Sequence, residues 1–133
     1  MRGGNAFLRA ALRMATTEPR RFRGAVRAGY LAPYRNWASR VAIQRFVEDI
    51  PLSPRHPSYA TLLEIEQALP SLADRPTQFI WGMQDWCFTP AFLERFLEFF
   101  PRAAVLRLPN AGHFVVEDAA DQVREAVEEF LTR

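Results

Sequence analysis

The chain has 133 residues, 49% of them hydrophobic and 13% aromatic, and a formal net charge of +2. That length suits one domain with a core that buries about two-thirds of the unfolded surface, and that composition excludes a disordered or low-complexity chain. A single cysteine, Cys87, excludes an internal disulfide framework and an all-cysteine metal site. No apolar run nears the ~18 residues of a membrane span, and the Arg-dotted N-terminus lacks a continuous signal-peptide core. The sequence therefore reads as cytoplasmic, with no membrane span. Its charge is uneven. Residues 1–58 hold eleven arginines against three acids, and residues 59–133 hold six against twelve, with no lysine anywhere. A basic half can serve nucleic acid or an anionic surface. These arginines are spread through helical segments with apolar residues between them, which reads instead as a solvated helical face and no nucleic-acid partner.

Met1 to Gly4 reads as frayed. Asn5 is placed to cap a helix from Ala6 to about Ala15, with Phe7, Leu8, Ala11, Leu12 and Ala15 on one face. Thr17-Glu18-Pro19 opens a second helix, carrying Phe22, Ala25, Val26 and Tyr30 to about Leu31, because proline suits a first turn. After the break at Ala32-Pro33-Tyr34, Asn36 caps a third helix through Val41 and Phe46, which ends before Ile50-Pro51. Pro51, Pro54 and Pro57 make a stiff connector. Ser58 opens a fourth helix, about Tyr59 to Ala68, with Leu62, Leu63, Ile65 and Ala68 as its apolar set.

Beyond Asp74-Arg75-Pro76 the period changes from helical to that of a strand. Gln78-Phe79-Ile80-Trp81 is an apolar run broken by Gly82, and Asp85 follows at once. Pro90 sits in the first turn of an amphipathic segment carrying Phe92, Leu93, Phe96, Leu97 and Phe100. Ala103 to Leu108 is a second apolar run, ending in Pro109-Asn110-Ala111-Gly112-His113. A last helix, about Ala119 to Leu131, is expected to bury Val123, Val127, Phe130 and Leu131. The whole reads as α/β, with a helical segment over residues 1–72 and a βαβα unit over residues 73–133. Two parallel strands alone make a poor sheet, since each leaves an edge unpaired, and this points to a part of something larger.

Two side chains carry the candidate chemistry. Asp85 and His113 leave the same ends of two strands expected to lie side by side, where open α/β sheets place their active sites. Asp85 would orient and charge-stabilise His113, and His113 would serve as general base. Each also has a plain structural reading: Asp85 as a turn carboxylate capping nearby amides, His113 as a loop histidine bonded to backbone. His56 lies between Pro54 and Pro57 with no acid to pair with and reads as structural. Two distant histidines offer no metal-ligand spacing, and nothing calls for a cofactor. Cys87, between Trp86 and Phe88, reads as buried packing.

Trp81-Gly82-Met83-Gln84-Asp85, with Asn110-Ala111-Gly112-His113 and a helix after it, resembles the C-terminal end of an α/β-hydrolase. The earlier helices resemble the cap that roofs such a site. Gly29-Tyr30-Leu31-Ala32-Pro33-Tyr34, Trp37-Ala38-Ser39-Arg40, Arg45-Phe46-Val47, Asp49-Ile50-Pro51-Leu52 and Asp85-Trp86-Cys87-Phe88-Thr89-Pro90 resemble the haloalkane-dehalogenase-like branch, and within it the β-lactone (cis-3-alkyl-4-alkyloxetan-2-one) decarboxylases of olefin biosynthesis. The resemblance implies Asp85 and His113 as the catalytic acid and histidine and a small apolar substrate in the full-length parent. It leaves an epoxide or ester hydrolase of the same fold as an alternative. The sequence also departs from the pattern. Such enzymes carry the nucleophile on a Gly-x-Asp-x-Gly or Gly-x-Ser-x-Gly elbow upstream of the cap, and no two of the six glycines here lie four apart. The expectation is a C-terminal fragment, through truncation, a split gene or a misplaced start, that lacks the nucleophile and partners the missing N-terminal half. The reading from a different class, a non-catalytic basic helical module that binds other proteins or nucleic acid, would show a salt-steep affinity for DNA or RNA.

Overall fold

A computed structural model of the protein describes residues 5–132; the reading of Met1 to Gly4 falls outside them. The chain divides into two units, one of residues up to Arg13 with Arg20–Leu69, the other of Met14–Pro19 with Pro70–Arg133. The first unit is all-helical, with α1 (Ala6–Met14), α2 (Gly24–Leu31) and α3 (Val41–Glu48) separated by short 3-10 turns, and α4 (Tyr59–Ala68) reached through the irregular connector that carries Pro51, Pro54 and Pro57. No helix among the described residues is long and apolar enough to cross a membrane.

Several local expectations hold in this unit and others are corrected. Asn36 and Ser39 cap reciprocally: the Ser39 N–H donates to Asn36 Oδ1 at 2.8 Å and the Asn36 N–H to Ser39 Oγ at 3.1 Å. A 3-10 turn, Ala38–Arg40, intervenes before α3. Asn5 does not cap α1. Its Nδ2 donates to the Tyr34 carbonyl at 2.8 Å, and its buried Oδ1 has no hydrogen-bond partner among the described residues. The second helix is not continuous from Pro19, because Gly24 takes φ +51°, a left-handed conformation that a right-handed helix cannot run through. Ser58 precedes α4 as expected, but its hydroxyl bonds the Asp49 carboxylate at 2.6 Å and not the helix amides. Of the apolar set, Leu12 and Phe22 are buried, whereas Phe7, Val26, Trp37, Leu62, Leu63 and Ile65 are exposed. His56 is bonded to backbone through both ring nitrogens. It accepts from the Ser58 N–H at Nδ1 and so donates from Nε2 to the Glu48 carbonyl at 3.0 Å.

The second unit is built on a two-stranded parallel sheet, β1 (Gln78–Gly82) beside β2 (Ala104–Leu108), in a register that runs from Gln78 opposite Ala104 to Gly82 opposite Leu108. Between them runs α5 (Pro90–Phe99), with Pro90 in its first turn. Its Leu93 is 0% exposed, and Phe96 packs on Phe79 and Trp81 with ring centroids 5.5 and 6.2 Å apart. Phe100 closes edge-on to Phe79 at 5.8 Å. After β2 come a one-turn helix, α6 (Val115–Asp118), and α7 (Ala120–Leu131). Of the four residues expected to be buried along α7, Val123 and Phe130 are half-buried and Val127 and Leu131 are exposed, Leu131 at 76%; the side chain that is buried is Ala126. An amphipathic stripe is buried only where a neighbour covers it, and here the outer part of the stripe is bare.

Candidate active site

The two strand ends are drawn together by backbone. The Met83 N–H donates to the Leu108 carbonyl at 3.0 Å, continuing the parallel ladder one residue past β1. The Gln84 N–H reaches the Ala111 carbonyl at 2.9 Å, and its Nε2 the Pro109 carbonyl at 3.0 Å. The approach is close enough to require glycine at 82. A Cβ there would lie 2.3 Å from the Gly112 carbonyl oxygen and 2.7 Å from that of Ala111. The loop after β1 is also tied back to its own strand, since Trp81 Nε1 donates to the Phe88 carbonyl at 3.0 Å.

This frame brings Asp85 and His113 together. Asp85 is 9% exposed, and its Oδ2 lies 2.9 Å from His113 Nδ1. Its Oδ1 accepts the N–H groups of Cys87 at 2.8 Å and Phe88 at 2.9 Å. Asp85 thus bonds its own turn through one oxygen and His113 through the other. An ionised carboxylate only accepts, so Nδ1 carries the hydrogen and neutral His113 has its lone pair on Nε2. That nitrogen has no hydrogen-bond partner among the described residues, and His113, 30% exposed, helps line a cavity of about 150 Å³ with Ile80, Trp81, Gly82, Phe88 and Val115. The imidazole has two aromatic rings near it, with centroids at 5.4 Å for Phe88 and 6.0 Å for Phe114. Chemically, this is an oriented proton acceptor at the edge of a mostly apolar hollow.

Cys87 is corrected: it is exposed, because the turn capped by Asp85 holds its backbone and leaves the thiol outside. No group of three or more His, Cys, Asp or Glu that could hold a metal occurs among the described residues.

One group escaped the sequence reading. Asp118 accepts the Gly112 N–H at 2.7 Å and the Thr17 N–H at 3.1 Å on Oδ2, and the Thr16 hydroxyl on Oδ1. Burial pushes its carboxyl up, but the bonds from Thr16, Gly112 and Thr17 outweigh that and hold it below the ordinary value of 3.8. Thr16 and Asp118 stand 102 residues apart. The only local signal was the acidic start at Glu117-Asp118, which reads equally well as an ordinary helix first turn.

The strand, acid loop, helix, strand and histidine loop in this order define the class, and the family model for the alpha/beta hydrolase fold matches residues 11–120. The chain belongs to that family. It is 44% identical over 114 residues to a cis-3-alkyl-4-alkyloxetan-2-one decarboxylase of Xanthomonas campestris pv. campestris, covering 86% of this chain and 38% of that protein. It is 39% identical over 107 residues to a protein of the same name from Shewanella oneidensis, covering 80% and 34%. Against haloalkane dehalogenase 2 of Mycobacterium tuberculosis it is 36% identical over 100 residues, covering 73% and 34%. The chain thus spans about a third of the length of the curated relatives it matches.

Proposed function

We propose that this chain supplies the acid and the general base of an α/β-hydrolase-fold enzyme acting on long-chain β-lactones, with the nucleophile carried on polypeptide outside these 133 residues. The observation that carries the reading is the 2.9 Å bond from His113 Nδ1 to the buried Asp85, which leaves Nε2 at a cavity. The missing spacing of glycines supports the second half, since no nucleophile elbow of the usual form can be drawn in the sequence. The substrate class follows the two relatives named as decarboxylases, at 44% and 39% identity against 36% for the dehalogenase.

In such an enzyme a carboxylate nucleophile attacks the strained ring. Overall, the C–O and C–C bonds of the lactone that flank the departing carboxyl break, CO₂ leaves, and the two alkyl-bearing carbons are left double-bonded. Asp85 holds His113 in the Nδ1–H form and stabilises the imidazolium, while Nε2 takes and returns protons at the reacting atoms. With a haloalkane in place of the lactone, the same nitrogen would activate water for hydrolysis of the covalent intermediate. The helical unit, up to Arg13 with Arg20–Leu69, would serve as the cap of such an enzyme.

The purified chain is expected to show no turnover on β-lactones, haloalkanes, epoxides or esters. A hybrid in which it replaces the aligned third of the Xanthomonas campestris relative should release CO₂ and olefin from a long-chain cis-3,4-dialkyl-oxetan-2-one. Halide release from haloalkanes with no olefin from the lactone would refute the substrate class and leave the family.

A further inference from the structure

His113 is flanked by two amides that are both pinned. On one side the Gly112 N–H donates to Asp118 Oδ2 at 2.7 Å, and on the other the Phe114 N–H donates to the Ala15 carbonyl at 2.7 Å. The segment Met14–Thr17 supplies most of the remaining ties. The Thr17 N–H and the Thr16 hydroxyl both donate to Asp118, and the Thr17 hydroxyl donates to the Asn110 carbonyl at 2.6 Å. The same segment reaches the other loop, because Trp86 Nε1, next to Asp85, donates to the Met14 carbonyl at 2.9 Å. Thr16 is buried and its hydroxyl is fixed in direction: it accepts the Glu18 N–H at 2.9 Å, so its own hydrogen goes to Asp118. There is little slack. A Cβ on Gly112 would stand 3.1 Å from the Ala15 carbonyl oxygen.

We propose that Asp118, cross-linked to the upstream segment Met14–Thr17, is a positioning residue that fixes the His113 loop against Asp85. The inference rests on reading Asp85 and His113 as the catalytic pair. The physical reason is that a loop histidine has free backbone torsions on both sides, and a 2.9 Å contact to a carboxylate survives only if those torsions are fixed. Asp118 fixes them through a charge-assisted bond, stronger than a bond between neutral groups. Its second oxygen and the Thr17 amide pass that constraint to a segment about a hundred residues earlier, which also steadies the acid loop through Trp86.

The test is the nitrogen and proton NMR of the His113 imidazole in the 133-residue chain labelled at histidine. The unaltered chain should show the Nδ1–H tautomer and a protected Nδ1 proton. Asp118→Asn should move the ring toward the tautomer mixture of free histidine and raise exchange of that proton about tenfold or more, as expected for loss of a hydrogen bond to a charged group. Thr16→Val, a milder change that keeps the carboxylate, should shift both signals the same way by less, and Asp118→Glu should restore part of them. Asp121→Asn, which removes an exposed acid on α7, should change neither. The proposal is overturned if the unaltered chain shows no Nδ1–H preference, if Asp118→Asn and Thr16→Val both leave the signals unchanged, or if Asp121→Asn reproduces them. These signals report geometry and not turnover. A catalytically dead hybrid with an Asp118-dependent signal would therefore refute the catalytic reading while leaving the positioning role intact.

Discussion

At Asp85 two demands meet on one buried carboxylate: Oδ1 closes its own turn on Cys87 and Phe88, and Oδ2 holds His113. Asp85→Asn separates them. The amide oxygen can still accept both backbone N–H groups, so the turn and the fold are kept. The amide NH₂ then faces Nδ1 and favours the tautomer with its proton on Nε2, where a base needs its lone pair. In the Xanthomonas hybrid this change should lower kcat by about 10⁴, the loss known for an orienting carboxylate in a triad, with little change in melting temperature. A large loss of stability with unchanged kcat would show that Asp85 is only a turn residue. Gly82 makes a second demand at single-residue scale. Gly82→Ala puts a methyl against the Ala111 and Gly112 carbonyls and should cost about 1–3 kcal/mol, measured by denaturant unfolding, while pushing the histidine loop off β1.

Among the elements, β1, α5 and β2 carry the site because their apolar residues repeat at the right periods, which pairs the strands and packs Phe96 of α5 on Phe79 and Trp81 of β1. Leu93→Ala should cost about 2–5 kcal/mol, since Leu93 is 0% exposed and its loss leaves a cavity beneath the sheet; a cost under 1 kcal/mol would mean that α5 is not packed as described. The clamp of α6 on Met14–Thr17 should show in acid. Asp118 is held below its ordinary value of 3.8, so the stability it contributes is complete above that pH and is lost as pH falls through its lower folded value. Melting temperature should therefore drop below about pH 4, and the drop should be shallower in Asp118→Asn. How much of this was legible follows from range along the chain. The ends of α4, the two strands and their pairing, and the meeting of Asp85 with His113 depend on local periods and a single crossover, all written in neighbouring residues. The bond from Thr16 to Asp118 depends on two segments 102 residues apart, and no local pattern encodes it. The break before α2 was hidden for another reason. Gly24 opens α2, and its φ of +51° separates that helix from the 3-10 turn Pro19–Arg21, a conformation the apolar period does not announce. The exposed Cys87 follows from a turn bonded to a carboxylate, a contact that its aromatic neighbours do not announce.

For the whole molecule, the question is what covers its apolar surface. Leu52 is 89% exposed, Phe46 77% and Leu131 76%, and Trp37, Val116 and Trp86 are also exposed. Both strands of the sheet keep an unpaired edge among the described residues. The purified chain should accordingly bind a hydrophobic dye and self-associate reversibly, whereas the Xanthomonas hybrid should do neither. A monodisperse chain without dye binding would show that these surfaces need no cover. The central claim is that His113, oriented by Asp85, is the base of an enzyme whose nucleophile lies elsewhere. Its most direct test is steady-state turnover of a long-chain cis-β-lactone by that hybrid with and without His113→Ala. The account predicts olefin and CO₂ from the hybrid and a loss of about 10³-fold or more in kcat on His113→Ala, with the fold retained. An active hybrid whose rate is unchanged by His113→Ala would contradict it.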